Sequence, residues 1–574
     1  RGVKVIVDGI PETLPDGQSG VDSIDLGSAQ TIEVLRGPAS SIYGNSAGGV
    51  IAVNTQLDTE NPFVEGRLAR GNFGYQQLQF KSGGSFGQVD YLFNVSDSDI
   101  GGYRDHSYAK GNLINSKLRY SFNETDKLLV SLNITDQPYA QDPGGINIDQ
   151  LLGDRRSARD RNIQFDAGED LSQERLGLIY EKDNRWGTFI LRNYYAWKNF
   201  SNKLPFTNGG SVDLDRSFSG IGFQYAFNTL FDRLDMIFGI DYDQQDDHRE
   251  RYDNNDGILG PLVFDQNERV DNLGIFGQGK FALNEKISVL SGLRYDKISY
   301  GVSDYYVLNG DDSGSLDFSE ISPSLGLNYK VNKGVLYALY ASSFETPTTT
   351  ELANPSEFGG FNQSLRPQIA KSFELGYKYS SNSLSYELAA FRIDLNDELI
   401  PYELEAFPGR QFFSNAGSST RDGVEAAFTW RNQAGLILNG SYTWSDFVFN
   451  QFMADDGQNF NNKYLPGVPK RFGYLGATYK NEKGFSGTFE VFYSGRLYAN
   501  NSNSVSISSY KLANIRLSKE LRFGRRVIRP YLGLNNIFNE KYNSNIRINA
   551  WGGRYYEPAP ERNIYIGIMA NFIY

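Results

Sequence analysis

The sequence predicts an all-β membrane protein, an antiparallel transmembrane barrel. Three observations predict it. Long runs alternate apolar and polar residues, short charged turns alternate with long polar connections, and the chain closes on a strand with one apolar face. No stretch approaches the about 18 consecutive apolar residues that a membrane-crossing helix needs. Mean hydropathy is negative. In a barrel, though, only every second strand residue meets lipid, so overall hydropathy does not discriminate.

Residues 31–53, TIEVLRGPASSIYGNSAGGVIAV, read as a strand around Ile32 and Val34 followed by a break at Gly37-Pro38. A tight turn from Tyr43 to Gly49 and a second strand from Val50 to Val53 complete the unit. Its glycines suit positive-φ turns and close backbone approach. Aromatic-rich strands begin at about Asn61. Short turns fall at 123–127, 182–187, 284–286, 332–334, 382–383, 432–433 and 481–484, and long polar connections at 137–162, 244–269, 346–367 and 450–469. From Lys286 onward the short turns recur roughly every 50 residues, one tall hairpin and its loop, which gives about 20–22 strands in all. In Phe485–Ser494 one face carries Phe485, Gly487, Phe489, Val491 and Tyr493, the other Ser486, Thr488, Glu490, Phe492 and Ser494. Leu436, Leu438, Tyr442 and Trp444 likewise oppose Asn439, Ser441 and Thr443, and Ile564, Ile566, Ile568, Ala570, Phe572 and Tyr574 share one face of the last strand. A soluble sandwich also alternates, but with shorter strands and less lopsided connections. A kelch-type propeller suits the spacing but would need a blade signature that is missing.

Composition narrows the function. The 37 Tyr and 39 Phe suit the aromatic girdles of a barrel. The absence of cysteine removes thiol nucleophiles, thiolate metal sites and disulfides. A net charge of -12 argues against a nucleic-acid partner. Two histidines, His106 and His248, leave little material for a nucleophile with its activating base, so no enzyme is expected. Asp253 to Gly257 is similar to a calcium loop, yet Phe264 stands where the bidentate glutamate belongs, so no metal site is expected.

VIVDGIP (Val5–Pro11) and LRGP (Leu35–Pro38), with the turn that follows, resemble the plug domain of TonB-dependent outer-membrane receptors. Further echoes follow in the family's order: SSFETPTTTEL from Ser342, LRPQIAKSFELGYK from Leu365, FSNAGSSTRDGVEAAF from Phe413, LPGVPK from Leu465 and LNNIFNEKY from Leu534. The resemblance implies a 22-stranded barrel at 58–574 and the C-terminal part of an α+β plug at 1–57. The early plug and the segment that engages TonB are expected before Arg1. It further implies a transporter in the outer membrane of a Gram-negative bacterium, among outer-membrane lipid and lipopolysaccharide, monomeric and driven through TonB. Its cargo would be a ferric siderophore or similar iron chelate, with no cofactor beyond the iron it carries as substrate. A receptor for cobalamin or another nutrient is the near alternative; a passive porin or an outer-membrane enzyme is the distant one.

Strand parity points Glu374 and Glu425 into the lumen, where a carboxylate needs a cation or water. In similar receptors the LRGP arginine pairs with two wall glutamates, so Arg36 with Glu374 and Glu425 is the expected lock between plug and barrel. Two hydrated carboxylates are the alternative. For the ligand, the turn-rich segment Leu14–Gly20 resembles the apical plug loop of ferric-citrate-type receptors, which makes Gln18 a candidate contact. Arg155, Arg156, Arg159 and Arg161 in the connection 137–162 suit the oxygens of an anionic chelate; pairing with Asp154 and Asp160 is the alternative. Tyr103, Arg104 and His106 form a second candidate set, or a solvated loop.

Overall fold

The computed structural model describes residues 2–57, 61–229, 233–354, 362–405, 410–415, 417–454 and 457–574. Parts of the expected connections 346–367 and 450–469, and the junction at 58, lie outside these residues. Apolar side chains that alternate along each strand face out, and the sheet closes where Asn563–Ile573 pairs antiparallel with Phe63–Gly71. Among the described residues the barrel has 22 antiparallel strands, counting Tyr510–Lys519 and Leu521–Phe523 as one strand interrupted at Glu520; both pair with Arg526–Asn535. Closure leaves no strand edge, which lipid could not satisfy. The outward set of the last strand, Ile564, Ile566, Ile568, Phe572 and Tyr574, is exposed as its alternation predicts.

The connection expected at 244–269 is instead a continuation of two strands. Leu234–Asn255 and Ile258–Ala282 stay paired to a tight turn at Asp256 and Gly257, both with positive φ. The apolar outward residues Phe238, Ile240 and Tyr242 give way to Gln244, Asp246 and His248. Polarity on the outer face marks the membrane exit; it does not end the strand.

The N-terminal segment forms a four-stranded sheet inside the barrel. Strands β1 (Val3–Val7), β2 (Ile10–Pro11), β3 (Ala29–Arg36) and β4 (Gly49–Thr55) run in the order β2-β1-β4-β3, with β1 and β4 parallel. The one-turn helix α1 (Ser40–Tyr43) fills the stretch between the break at Gly37-Pro38 and the turn that starts at Tyr43. Gly49 takes φ 126°, and a Cβ there would sit 2.2 Å from the Leu35 carbonyl oxygen, so the return into β4 requires glycine.

Buried polar contacts join this sheet to the wall. Lys117 donates to Asp8 at 2.7 Å, while Thr55 donates to both carboxylate oxygens of Asp8 at 2.7 and 2.8 Å. Arg175 pairs with Glu12 and donates to the Pro11 carbonyl at 3.1 Å, and Gln173 and Ser23 donate to the same carboxylate. Asn94 and Ser96 donate to Asp25. Arg294 donates to the carbonyl of Ile42 at the end of α1 at 3.0 Å.

Candidate functional site

Two regions carry chemistry, one where β3 meets the wall and one at the barrel end that bears the long connections.

Arg36 ends β3 and pairs with Glu425. Its second carboxylate is Glu387, at 3.1 Å, not Glu374. The reason is height along the wall. Glu374 lies opposite Phe391, whereas Glu387 lies four residues away on that strand, about 13 Å along it. Glu425 lies opposite Ala389, one inward position from Glu387, so these two carboxylates share the level of Arg36. Glu374 accepts instead from the Tyr337 hydroxyl at 2.6 Å, and Lys378 also reaches Glu387, at 3.1 Å.

The mouth holds a vestibule of about 940 Å³, floored by Gln18 and Ser19 of the plug. Gln18 donates to Thr350 at 2.9 Å and accepts from Arg216 at 3.5 Å, tying the plug apex to both a loop and the wall. The other expected contacts brace the connection 142–167 and do not line this cavity. Arg104 is buried and donates to the carbonyls of Pro143, Gly144 and Ser157. Arg156 donates to the Tyr103 carbonyl at 2.9 Å and lies over the Tyr103 ring. Arg155 donates to the Tyr542 carbonyl, Arg161 lies over Phe165, and the His106 ring bonds the Ala167 carbonyl at 2.7 Å. Burial and the neighbouring Arg554 push Arg159 down to about 10. Among the described residues neither Asp154 nor Asp160 forms an ion pair with these guanidinium groups, although Asp154 accepts from the Arg156 backbone N–H at 2.9 Å; carbonyl oxygens and rings hold the side chains of Arg155, Arg156 and Arg161.

Two of the vestibule's cations, Arg249 and Arg251, come from the stretch 244–269 read as a connection. On the tall strand Leu234–Asn255 the inward residues run Asp241, Asp243, Gln245, Asp247, Arg249, Arg251. Cross-strand register decides which are neutralised. Asp247 lies between Arg216 and Glu268, and Arg216 takes it in two bonds of 2.7 and 2.5 Å. Arg249 reaches diagonally to Glu268 at 2.7 and 3.1 Å. Across the cavity Arg547 joins Asp142 and Glu557. On the outer face of the same hairpin His248, Glu250 and Asp265 bring ligand atoms within 4.8 Å of one another, with His248 bonded to Asp265 at 2.9 Å. Period-two alternation through Arg251 was the available signal for the inner ladder.

Against this geometry, the family model "TonB dependent receptor-like, beta-barrel" matches residues 70–537, and "TonB-dependent Receptor Plug Domain" matches 1–50. The metal-pseudopaline receptor of Pseudomonas aeruginosa is 22% identical over 96% of this chain and 81% of its own length. Among solved structures, the unliganded ferric citrate transporter superposes with a TM-score of 0.84 at 18% identity, covering 100% of this chain and 88% of that one. The siderophore receptor of Acinetobacter baumannii gives 0.80 at 18%, covering 99% and 89%. A barrel closed around a polar-docked sheet, matched by both family models, makes the chain a member of the TonB-dependent receptor family of the outer membrane.

Proposed function

We propose that this receptor captures a metal chelate, foremost a ferric siderophore, in the vestibule and releases it to the periplasm when TonB pulls on the plug. The observation that carries the reading is the vestibule floor. Gln18 belongs to the plug yet contacts wall and loop, so an occupant resting there touches the part that must move. A volume of about 940 Å³ suits one small chelate and is too small for a long glycan. The relatives named above for metal or siderophore uptake support the same cargo class. No group of this chain need ligate the metal, which arrives already complexed. In this reading residues 1–57 act as plug and 58–574 as barrel, with Arg36, Glu425 and Glu387 as one docking contact between them. Gln18 remains the plug's ligand contact, while Tyr103, Arg104, His106, Arg155, Arg156, Arg159 and Arg161 act from outside the cavity, holding the connection whose Asp142 and Pro143 line it.

The test is calorimetric titration of the purified receptor with ferric hydroxamate, catecholate and carboxylate chelates and with cyanocobalamin. Uptake of radio-iron by cells with and without TonB accompanies it. Micromolar or tighter binding of a ferric chelate, with uptake that needs TonB, supports the reading. Binding of cyanocobalamin alone moves the cargo to the cobalamin class, and TonB-independent leakage of small solutes makes the protein a pore.

A further inference from the structure

One vestibule cation stands apart. Arg251 lies in register between Val212 and Phe264, so no carboxylate shares its rank across the three strands. Of the acids along the ladder, Asp247 and Glu268 are already held by Arg216 and Arg249, while Asp253 accepts from the Gly209 amide at 3.3 Å. Arg251 is 9% exposed, and among the described residues its buried Nε and Nη1 have no hydrogen-bond partner. Its guanidinium lies 5.7 Å from the centre of the Phe264 ring, a contact that orients the group without satisfying its N–H donors. A recess of about 60 Å³ adjoins the vestibule here, bounded by Arg249, Arg251, Phe264, Thr349, Thr350 and Arg410.

A buried cation without a counter-charge is costly, and its persistence needs a compensating occupant. Burial, then Arg410 and Arg249 as cationic neighbours, push Arg251 well below the ordinary arginine range. Burial and Arg249 likewise push Arg410 down to about 10. Guanidinium groups keep their protons in proteins, so the cost falls on Arg251 as electrostatic strain, raised by Arg410 and Arg249 beside it. An anion removes it.

We propose that Arg251, with Arg410 beside it, is the subsite for a free carboxylate of the bound chelate, so that the cargo is an anionic, carboxylate-bearing metal complex. This rests on the chelate-receptor reading above and specifies its substrate class. The recess is small and half apolar, with Thr349 and Thr350 at its edge, and it suits a planar carboxylate better than a bulky ring. A neutral or cationic complex would leave Arg251 buried and still unpaired.

The experiment titrates the full chain in detergent with ferric citrate, which carries free carboxylates, and with ferrioxamine B, a cationic hydroxamate complex. Wild type, Arg251→Met and Arg251→Lys are compared by calorimetry and by thermal melting. Expected are tighter binding of ferric citrate than of ferrioxamine B and a loss of about 30-fold or more in Arg251→Met. Arg251→Lys should recover part of that loss. Without ligand, Arg251→Met should melt at or above the wild-type temperature, because it removes a strained charge. Ferric citrate binding unchanged in Arg251→Met, or a lowered melting temperature in that variant, overturns the subsite. Tight binding of ferrioxamine B but not ferric citrate overturns it while leaving the receptor reading intact; failure of every ferric chelate on wild type removes both.

Discussion

The plug is expected to depend on Glu12 far more than on Arg36, although Arg36 sits in the recognisable motif. The perturbation is Glu12→Gln. Glu12 and Arg175 have side chains 4% and 3% exposed, and the carboxylate also accepts from Gln173 and Ser23. Removing its charge leaves Arg175 buried beside β2 with only carbonyl and amide acceptors, from Pro11 and Asn133. Breaking a buried pair in this way costs about 3–5 kcal/mol. Arg36 is 48% exposed and its partners are about a quarter exposed, so water screens the pair and Arg36→Ala should cost no more than about 1 kcal/mol. In populations, these costs raise plug opening roughly 150- to 4,000-fold for Glu12→Gln against about fivefold for Arg36→Ala. Hydrogen exchange of β1 and β4 amides reads that ratio directly, with barrel amides as the internal reference. Equal or greater acceleration in Arg36→Ala would refute the claim that burial, not motif membership, ranks these contacts.

Two further outcomes follow from the same geometry. Glu425→Gln should reproduce the small exchange effect of Arg36→Ala, whereas Glu374→Gln should leave plug exchange unchanged, since its carboxylate accepts from Tyr337. Arg104→Ala should speed protease cleavage within 142–167, because three carbonyls lose a buried donor at about 1–3 kcal/mol of local stability; cleavage at the wild-type rate would refute the bracing role.

The barrel was legible because lipid imposes a simple rule: one face apolar, every turn short on one side. Ile564 to Tyr574 displays that rule without help from context. Parity also gave the facing of Glu374 correctly, since its neighbours Phe373 and Leu375 are exposed outward. It could not give height, because a period of two repeats identically at every level of a strand; strand register, invisible in one sequence, put Glu387 at the level of Arg36 instead. The vestibule ladder was missed for a different reason. Charged residues on both faces of 244–251 look like a loop, since above the membrane the outer face turns polar too. The alternation of Asp247, Arg249 and Arg251 was still present, but the apolar contrast that makes alternation visible had gone. Arg155, Arg156 and Arg161 differ in the opposite direction: composition suits a ligand, while nearby carbonyls and rings take their donors.

Strand length differs sharply around the circumference. The strands at 211–229, 234–255 and 258–282 have 19, 22 and 25 residues, whereas those at 471–480, 485–494 and 526–535 have 10 each. At about 3.3 Å per residue the longest extends over twice as far as the shortest. The rim is therefore slanted, with a stiff hydrogen-bonded rampart on one flank and irregular segments on the other. A rampart cannot fold over its contents without breaking ladder bonds, so any closing motion must come from the low flank. That makes the tall side a fixed anvil, bearing the arginine ladder, against which moving parts press the cargo.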